Sequence, residues 1–300
     1  MILVTGTSGF IGKHLLKRLL EKYGTDEILA LSSVPVDFCK YLFHNNYKFS
    51  DDYFTRNGYD NIEIIIHAGA YTPKSNVEAD NWEKCNSNVT NTISLLSASF
   101  PALKTVIYLS TLDIYSNVEG LISETSKIEP GSYYGESKYF GEKIVQFYCA
   151  GKGIGNQILR IGHVYGPGEE NYKKLIPTTF SKIRSKKNIE IWGSGEDLRS
   201  FIYIDDVVSA IINSIQLKND VGPINIVSGK AYTIREIVNS MVKVSGMDVV
   251  VENISTNAPR RDLVFDNSLM KKYLQQNELP LNLGLVYEWN YMMNIDEDSI

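Results

Sequence analysis

The chain has 300 residues, 43% of them hydrophobic, with a net charge of −5 and a pI near 5.5. That length builds one large or two modest cores, and the scattered lysines and arginines leave no basic stripe for a nucleic acid or an anionic membrane surface. No apolar run reaches the roughly 18 residues of a membrane span, and Cys39, Cys85 and Cys149 lack the spacing of a disulfide framework or a zinc site, so a reducing cytoplasm and no metal are expected.

The opening apolar run, 2–4, is broken at Thr5 and Gly6 and has no basic leader, so no export is expected. Similar short runs follow at 27–31, 62–68, 105–110 and 157–161, alternating with helical patterns. This is the pattern of a parallel sheet covered by helices with right-handed crossovers. Between the first two runs Ile11, Leu15, Leu16, Leu19 and Leu20 mark one helical face, and Gly24 stands where a helix would stop. Gly6, Gly9 and Gly12 fall between the first strand and that helix. In that setting the first glycine permits the turn, the second lets a pyrophosphate approach the backbone, and the third lets helix and strand pack closely. The helix N-terminus offers free N–H groups to the phosphates.

After about residue 165 the rhythm loosens into Gly166-Pro167-Gly168, a helical stretch near 172–187, and short runs at 189–192, 201–204, 225–227 and 249–252. The expected organisation is a dinucleotide-binding domain over 1–165 and a smaller mixed α/β substrate-binding domain over 166–300, with a segment near 199–215 packing back on the first. The tail from about Asn294 is expected to fray.

The Thr5-Gly6-x-x-Gly9-x-x-Gly12 spacing resembles the short-chain dehydrogenase/reductase superfamily. The resemblance implies a tyrosine and a lysine four apart on a later helix, with a hydroxyl residue upstream. LSTLDIYS (109–116) supplies Thr111, and YYGESKYFGEK (133–143) supplies the pair. Tyr134/Lys138, Tyr139/Lys143 and Tyr148/Lys152 all have the spacing, but on one helix the second pair points about 140° away from the first. Tyr134/Lys138 is the expected pair, because Gly135, Ser137 and Gly141 leave room around it and it follows Thr111 soonest. The other two pairs are expected to be solvated or packing residues. A phenol that exchanges protons near neutrality needs its anion stabilised by about 4 kcal/mol, at ~1.36 per unit. An ammonium one helical turn away and an oxidised nicotinamide can supply that in a shielded cleft. Thr111 would then bond the reacting sugar oxygen.

IIIHAGA (64–70), NVTNT (88–92), LRIGHVYGPGE (159–169) and WGSGEDLRSFIYIDDVVSAI (192–211) resemble the extended branch of that superfamily, the nucleotide-sugar epimerase/dehydratase family. The resemblance implies an α/β fold with a Rossmann-type doubly wound parallel sheet. It implies NAD or NADP held by Gly6, Gly9, Phe10, Ile11, Gly12, Ser32, Asp51, Ala68, Gly69, Ala70, Tyr134 and Lys138. It implies a nucleotide-diphosphate sugar as substrate, contacted by Thr111, His163, Lys174, Trp192, Arg199 and either Arg260 or Arg261. A homodimer is implied as well, a four-helix bundle of the 88–100 and 134–150 helices with Ile93, Leu96, Phe140 and Phe147 facing outward.

The departures matter too. Ser32 and Ser33 stand where NAD enzymes usually carry an acid, which opens the way to NADP. His163 replaces a common asparagine, and Lys174 lies near another. Leu112-Asp113 offers one short acid where dehydratases of the family carry a pair, which argues against water elimination. The remaining readings are a 4-epimerase, a 4-ketoreductase and a non-enzymatic dinucleotide sensor or scaffold.

Overall fold

β1 (Ile2–Thr5) is wholly buried up to the glycine turn, and α1 (Phe10–Tyr23) follows with Leu15, Leu16 and Leu19 on its inner face and Gly24 closing it at φ 82°. The computed structural model describes residues 1–115, 118–170, 172–256 and 259–295. Next in order are β2 (Ile28–Ser32), β3 (Lys40–Phe43), α2 (Tyr53–Arg56), β4 (Ile64–His67), α3 (Asn76–Ala79), α4 (Trp82–Ser97) and β5 (Thr105–Thr111). After them come β6 (Leu121–Ile122), α5 (Tyr133–Lys152), β7 (Gly155–Ile161), β8 (His163–Tyr165), α6 (Leu175–Arg184) and β9 (Ile189–Trp192). The chain then makes β10 (Leu198–Arg199), β11 (Phe201–Tyr203), α7 (Ile204–Ser214), β12 (Ile224–Ile226), β13 (Tyr232–Thr233) and α8 (Ile234–Ser245). It ends with β14 (Val251–Ile254), β15 (Val264–Phe265), α9 (Ser268–Tyr273) and α10 (Leu281–Asn294).

Among the described residues the largest sheet has seven strands in the order β3-β2-β1-β4-β5-β7-β12, every pairing parallel. The five runs expected from the first half form its middle. Strand order reverses between β1 and β4, and the crevice beyond the carboxyl ends of strands at such a point is where doubly wound sheets bind ligands. Two strands differ from expectation. β3 is an edge strand with Lys40, Tyr41 and Phe43 exposed, so it carries none of the apolar signal of a buried strand. β12, read from sequence with the second half, pairs with β7 and completes the first sheet, because the fully buried Ile224 and Ile226 continue its core.

The remaining strands form two-stranded pairs, β8 with β11, β9 with β14, β10 with β13 and β6 with β15. α7 packs on α1. One apolar core lies under α1 and α7 and runs into α6, α8 and α10; a second lies on the other face of the sheet under α4 and α5. Ile93, Phe140 and Phe147 face outward, but Leu96 is buried. Three residues beyond Ile93, it is turned about 60° round α4, toward the sheet. Of the tail expected to fray, Asn294 ends α10, and residues 296–300 lie outside the described ones.

Candidate active site

Three strand ends and the starts of two helices converge on a cleft of about 480 Å³ at the carboxyl edge of the sheet. From the glycine turn come Gly6, Gly9, Phe10, Ile11 and Gly12; from the end of β4, Ala68 and Ala70; from β5, Thr111; from α5, Tyr134 and Lys138; and from the second half, His163 and Lys174. The hydroxyl, phenol and amine expected from sequence thus line one cavity with the glycine turn.

The local chemistry explains the convergence. Thr5 closes β1 with its Oγ1 accepting the Gly69 N–H at 2.8 Å and donating to His67 Nδ1 at 2.8 Å. His67 Nε2 donates to Thr92 Oγ1 at 3.0 Å, and Thr92 passes its own proton to the Asn88 carbonyl at 2.7 Å. One neutral tautomer of His67 satisfies the whole chain, and burial together with the Lys138 charge pushes this imidazole down to about 3. Asn88 then clamps two elements. Its Oδ1 accepts the Tyr71 N–H at 2.7 Å, and its Nδ2 donates to the Tyr71 carbonyl at 3.2 Å and to Ser137 Oγ at 3.1 Å. The loop after β4 is therefore fixed against the turn of α5 that carries Tyr134 and Lys138. Ser132 caps that helix through the Gly135 N–H at 3.2 Å.

Tyr134, Lys138 and Glu142 stand one turn apart on the inner face of α5. Glu142 is fully buried and holds Arg160 of β7 by two bonds, Nε–Oε1 at 3.0 Å and Nη2–Oε2 at 2.9 Å. Burial pushes the Tyr134 phenol up and the nearby Asp113 adds to this, while the hydroxyls of Thr111 and Thr72 pull it down. Burial also pushes the Lys138 ammonium down to about 7, against the attraction of Glu142. Thr111 Oγ1 donates to Asp113 Oδ2 at 3.1 Å, so the single acid of the Leu112-Asp113 pair is engaged. Burial lowers His163 to about 4, with Asp113 opposing and Lys174 and Arg199 assisting.

The cleft fits a dinucleotide. α1 begins without a side-chain cap, so its first-turn N–H groups at Phe10, Ile11 and Gly12 are presented to the cavity. Gly6 holds φ 71°, and a Cβ on it would come within 2.6 Å of the Gly69 backbone. Gly69 itself backs this turn without lining the cleft.

Other expected residues sit elsewhere. Ser32 is buried at the end of β2, its Oγ accepting the Val34 N–H at 3.2 Å. Asp51 is exposed before α2, its carbonyl accepting the Ser99 N–H at 2.7 Å, outside the cavity because that turn faces α4 and solvent. Trp192 is 63% exposed at the end of β9. Arg199 donates to the carbonyls of Leu198, at 2.9 Å, and of Arg261, and so lies beside Arg261, just outside the lining. The Arg260 guanidinium is tied to Asp262 at 3.0 and 2.9 Å. Of the unchosen pairs, Lys143 lies over the Tyr139 ring at 5.0 Å and Tyr148 packs on the second core. Sequence reasoning missed Thr72 and Tyr172 in the lining, and His14, whose Nε2 donates to the Pro167 carbonyl at 2.7 Å and ties α1 to the Gly166–Gly168 turn. None of these sits in a periodic or glycine-marked pattern that would single it out.

Residues 2–228 match the NAD dependent epimerase/dehydratase family. Among curated proteins the chain is 31% identical to dTDP-D-glucose 4,6-dehydratase of Dictyostelium discoideum, over 74% of this chain and 56% of that one. It is 30% identical to ADP-L-glycero-D-manno-heptose-6-epimerase of Brachyspira hyodysenteriae, over 81% of each. The chain thus spans little more than half the length of the dehydratase it matches. Among solved structures, UDP-glucose 4-epimerase of Thermotoga maritima with UDP-glucose superposes with a TM-score of 0.83 at 23% identity, covering 97% of this chain and 98% of that one. With a doubly wound parallel sheet, a glycine turn opening on the cleft and a sequence match over three quarters of its length, the chain belongs to the NAD dependent epimerase/dehydratase family.

Proposed function

We propose that the protein carries out oxidation and reduction at C4 of a nucleotide-diphosphate sugar, as a 4-epimerase. The observation that carries this reading is the meeting of Thr111, Tyr134 and Lys138 in the cavity that also contains the glycine turn. The nicotinamide, when bound, takes and returns the hydride. Tyr134 exchanges the proton of the C4 hydroxyl, Thr111 orients that oxygen, and the Lys138 ammonium stabilises the phenolate. Arg199, whose guanidinium donates to the Arg261 carbonyl, and Arg261 suit the diphosphate, since a planar guanidinium donates to two phosphate oxygens at once. His163 and Lys174 line the cleft, where the proposal has them face the sugar.

Water elimination is disfavoured by Leu112, a buried apolar side chain where dehydratases of the family carry an acid, and by the bond that engages Asp113. A second reading, 4-keto reduction with NADPH, is favoured by Ser32, which leaves no carboxylate at the end of β2 to repel a 2′-phosphate. The same proposal takes the protein to be a homodimer paired through α4 and α5 in the cytoplasm. Cys39, Cys85 and Cys149 are free thiols, and among the described residues no helix is long and apolar enough to cross a membrane.

Two measurements test the reading. Denaturing the purified protein and identifying the released dinucleotide separates the chemistries: retained NAD supports epimerisation, and an empty site that prefers NADPH supports reduction. Tyr134→Phe is expected to fold and bind dinucleotide yet lose about 10²–10⁴-fold in turnover of UDP-glucose or whichever sugar nucleotide the parent accepts. Parent-level turnover in that variant rules out the acid/base role of Tyr134.

A further inference from the structure

Lys138 is 3% exposed, and among the described residues no hydrogen bond or ion pair holds its Nζ. What Nζ does meet is the ring of Tyr108, whose centroid lies 4.3 Å away. Tyr108 comes from the middle of β5 and is 1% exposed, and its hydroxyl approaches Thr92 without a hydrogen bond of ordinary geometry. A buried phenol placed this way is costly unless its ring does something a leucine would not. The helix makes room for it. Gly141, one turn beyond Lys138, faces the phenol so closely that a Cβ there would overlap the hydroxyl and lie 2.7 Å from Cζ.

We propose that the face of Tyr108 is the seat that keeps the Lys138 ammonium charged and aimed into the cleft, so that Tyr108, accommodated by Gly141, is a positioning residue of the site. This rests on the acid/base reading of Tyr134. The ring quadrupole attracts a cation over its face, most strongly where water is excluded. The other groups that act on Lys138 do not take this part. On α5, Tyr134 is its reacting partner, and Glu142 attracts it from one turn on with both oxygens already given to Arg160. On β4, His67 is kept neutral by burial and by the Lys138 charge, and so offers the ammonium no counter-charge. α4 presents the uncharged Asn88 and Thr92.

The experiment is a spectrophotometric titration of tyrosinate absorbance in the NAD-loaded protein. The Tyr134 band is defined as the part lost in Tyr134→Phe. Tyr108→Phe keeps the ring face and is expected to titrate within about 0.3 pH unit of the parent; Tyr108→Leu removes it and is expected to raise the Tyr134 midpoint by about one unit. Gly141→Ala pushes the ring from its place while favouring the helix, and is expected to move the midpoint in the same direction. It carries the test should Tyr108→Leu fail to fold. A parent with a Tyr134 band and a Tyr108→Leu or Gly141→Ala variant that titrates with it overturns this inference alone. Equal shifts in Tyr108→Phe and Tyr108→Leu overturn it too, by assigning the effect to the hydroxyl. A parent with no Tyr134-dependent band below pH 10 overturns the proposed function as well.

Discussion

Gly12 faces the carbonyl of Gly6 across the tightest point of the turn. A Cβ there would overlap that oxygen and come within 2.9 Å of the Thr7 Cα. Both neighbours are backbone, so neither can swing aside as a side-chain tip would. Gly12→Ala is therefore expected to cost about 1–3 kcal/mol of stability by forcing α1 off β1. It is also expected to weaken NAD binding about tenfold or more, because the first-turn N–H groups move with the helix. Thermal melting and a fluorescence titration with NAD measure the two effects, and unchanged values in both would remove the glycine turn from the binding argument.

At the scale of elements, α10 is coupled to the loop that runs from β8 to α6. Glu288 of α10 is fully buried, with neither carboxylate oxygen hydrogen-bonded among the described residues. Burial, and then the charges of Glu169 and Glu170 on that loop, push its carboxyl up to about 8. Glu169 is pushed up to about 7 by burial, with Lys174 opposing at 2.9 Å. Unfolded, the Glu288 carboxyl ionises near 4.5; folded, near 8. Between those values the native state holds the extra proton, so this group's contribution to stability is present below pH 4.5 and is lost as the pH rises through 8. Glu288→Gln is expected to melt within about one degree of the parent at pH 5 and a few degrees above it at pH 8, following the usual ~2–4 °C per kcal/mol for larger domains. A melting difference that does not grow with pH would mean that Glu288 is ionised in the native protein.

For the whole molecule, the outward faces of α4 and α5 set the prediction. Trp82, Ile93, Phe140 and Phe147 are 46–78% exposed on two helices that pack side by side. Tyr133 stands edge-on to Trp82 at 5.5 Å, so exposed rings of the two helices meet at that end. The proposed two-fold pairing buries them. Light scattering at micromolar concentration is expected to give twice the 33.8 kDa chain mass for the parent and the single-chain mass for Phe147→Glu combined with Ile93→Lys. A monomeric parent removes the dimer from the proposal.

The strands β1, β2, β4, β5 and β7 and their place in a parallel sheet were legible in the chain, because buried parallel strands are β-branched runs and the glycine turn is written in consecutive residues. Helical spacing puts Tyr134 and Lys138 on one face but does the same for Tyr139/Lys143 and Tyr148/Lys152, so the pair that lines the cleft was singled out by the resemblance and by the small residues around it. β3 was not legible, because an exposed edge strand has no apolar pattern. Nor was the place of β12, because three residues cannot say which sheet they will join. Leu96 is expected outward with Ile93 but is buried, because three residues turn it about 60° round α4 toward the sheet. Asp51 and Trp192 carry the right chemistry at positions that the fold leaves outside the cleft. The seat of Lys138 on Tyr108 joins residues 30 apart in sequence, and Asn88 clamps Tyr71 to Ser137. Local order and periodicity are fixed by neighbouring side chains and can be read along the chain, whereas a cavity is made by residues distant in sequence that become neighbours only once the sheet is assembled.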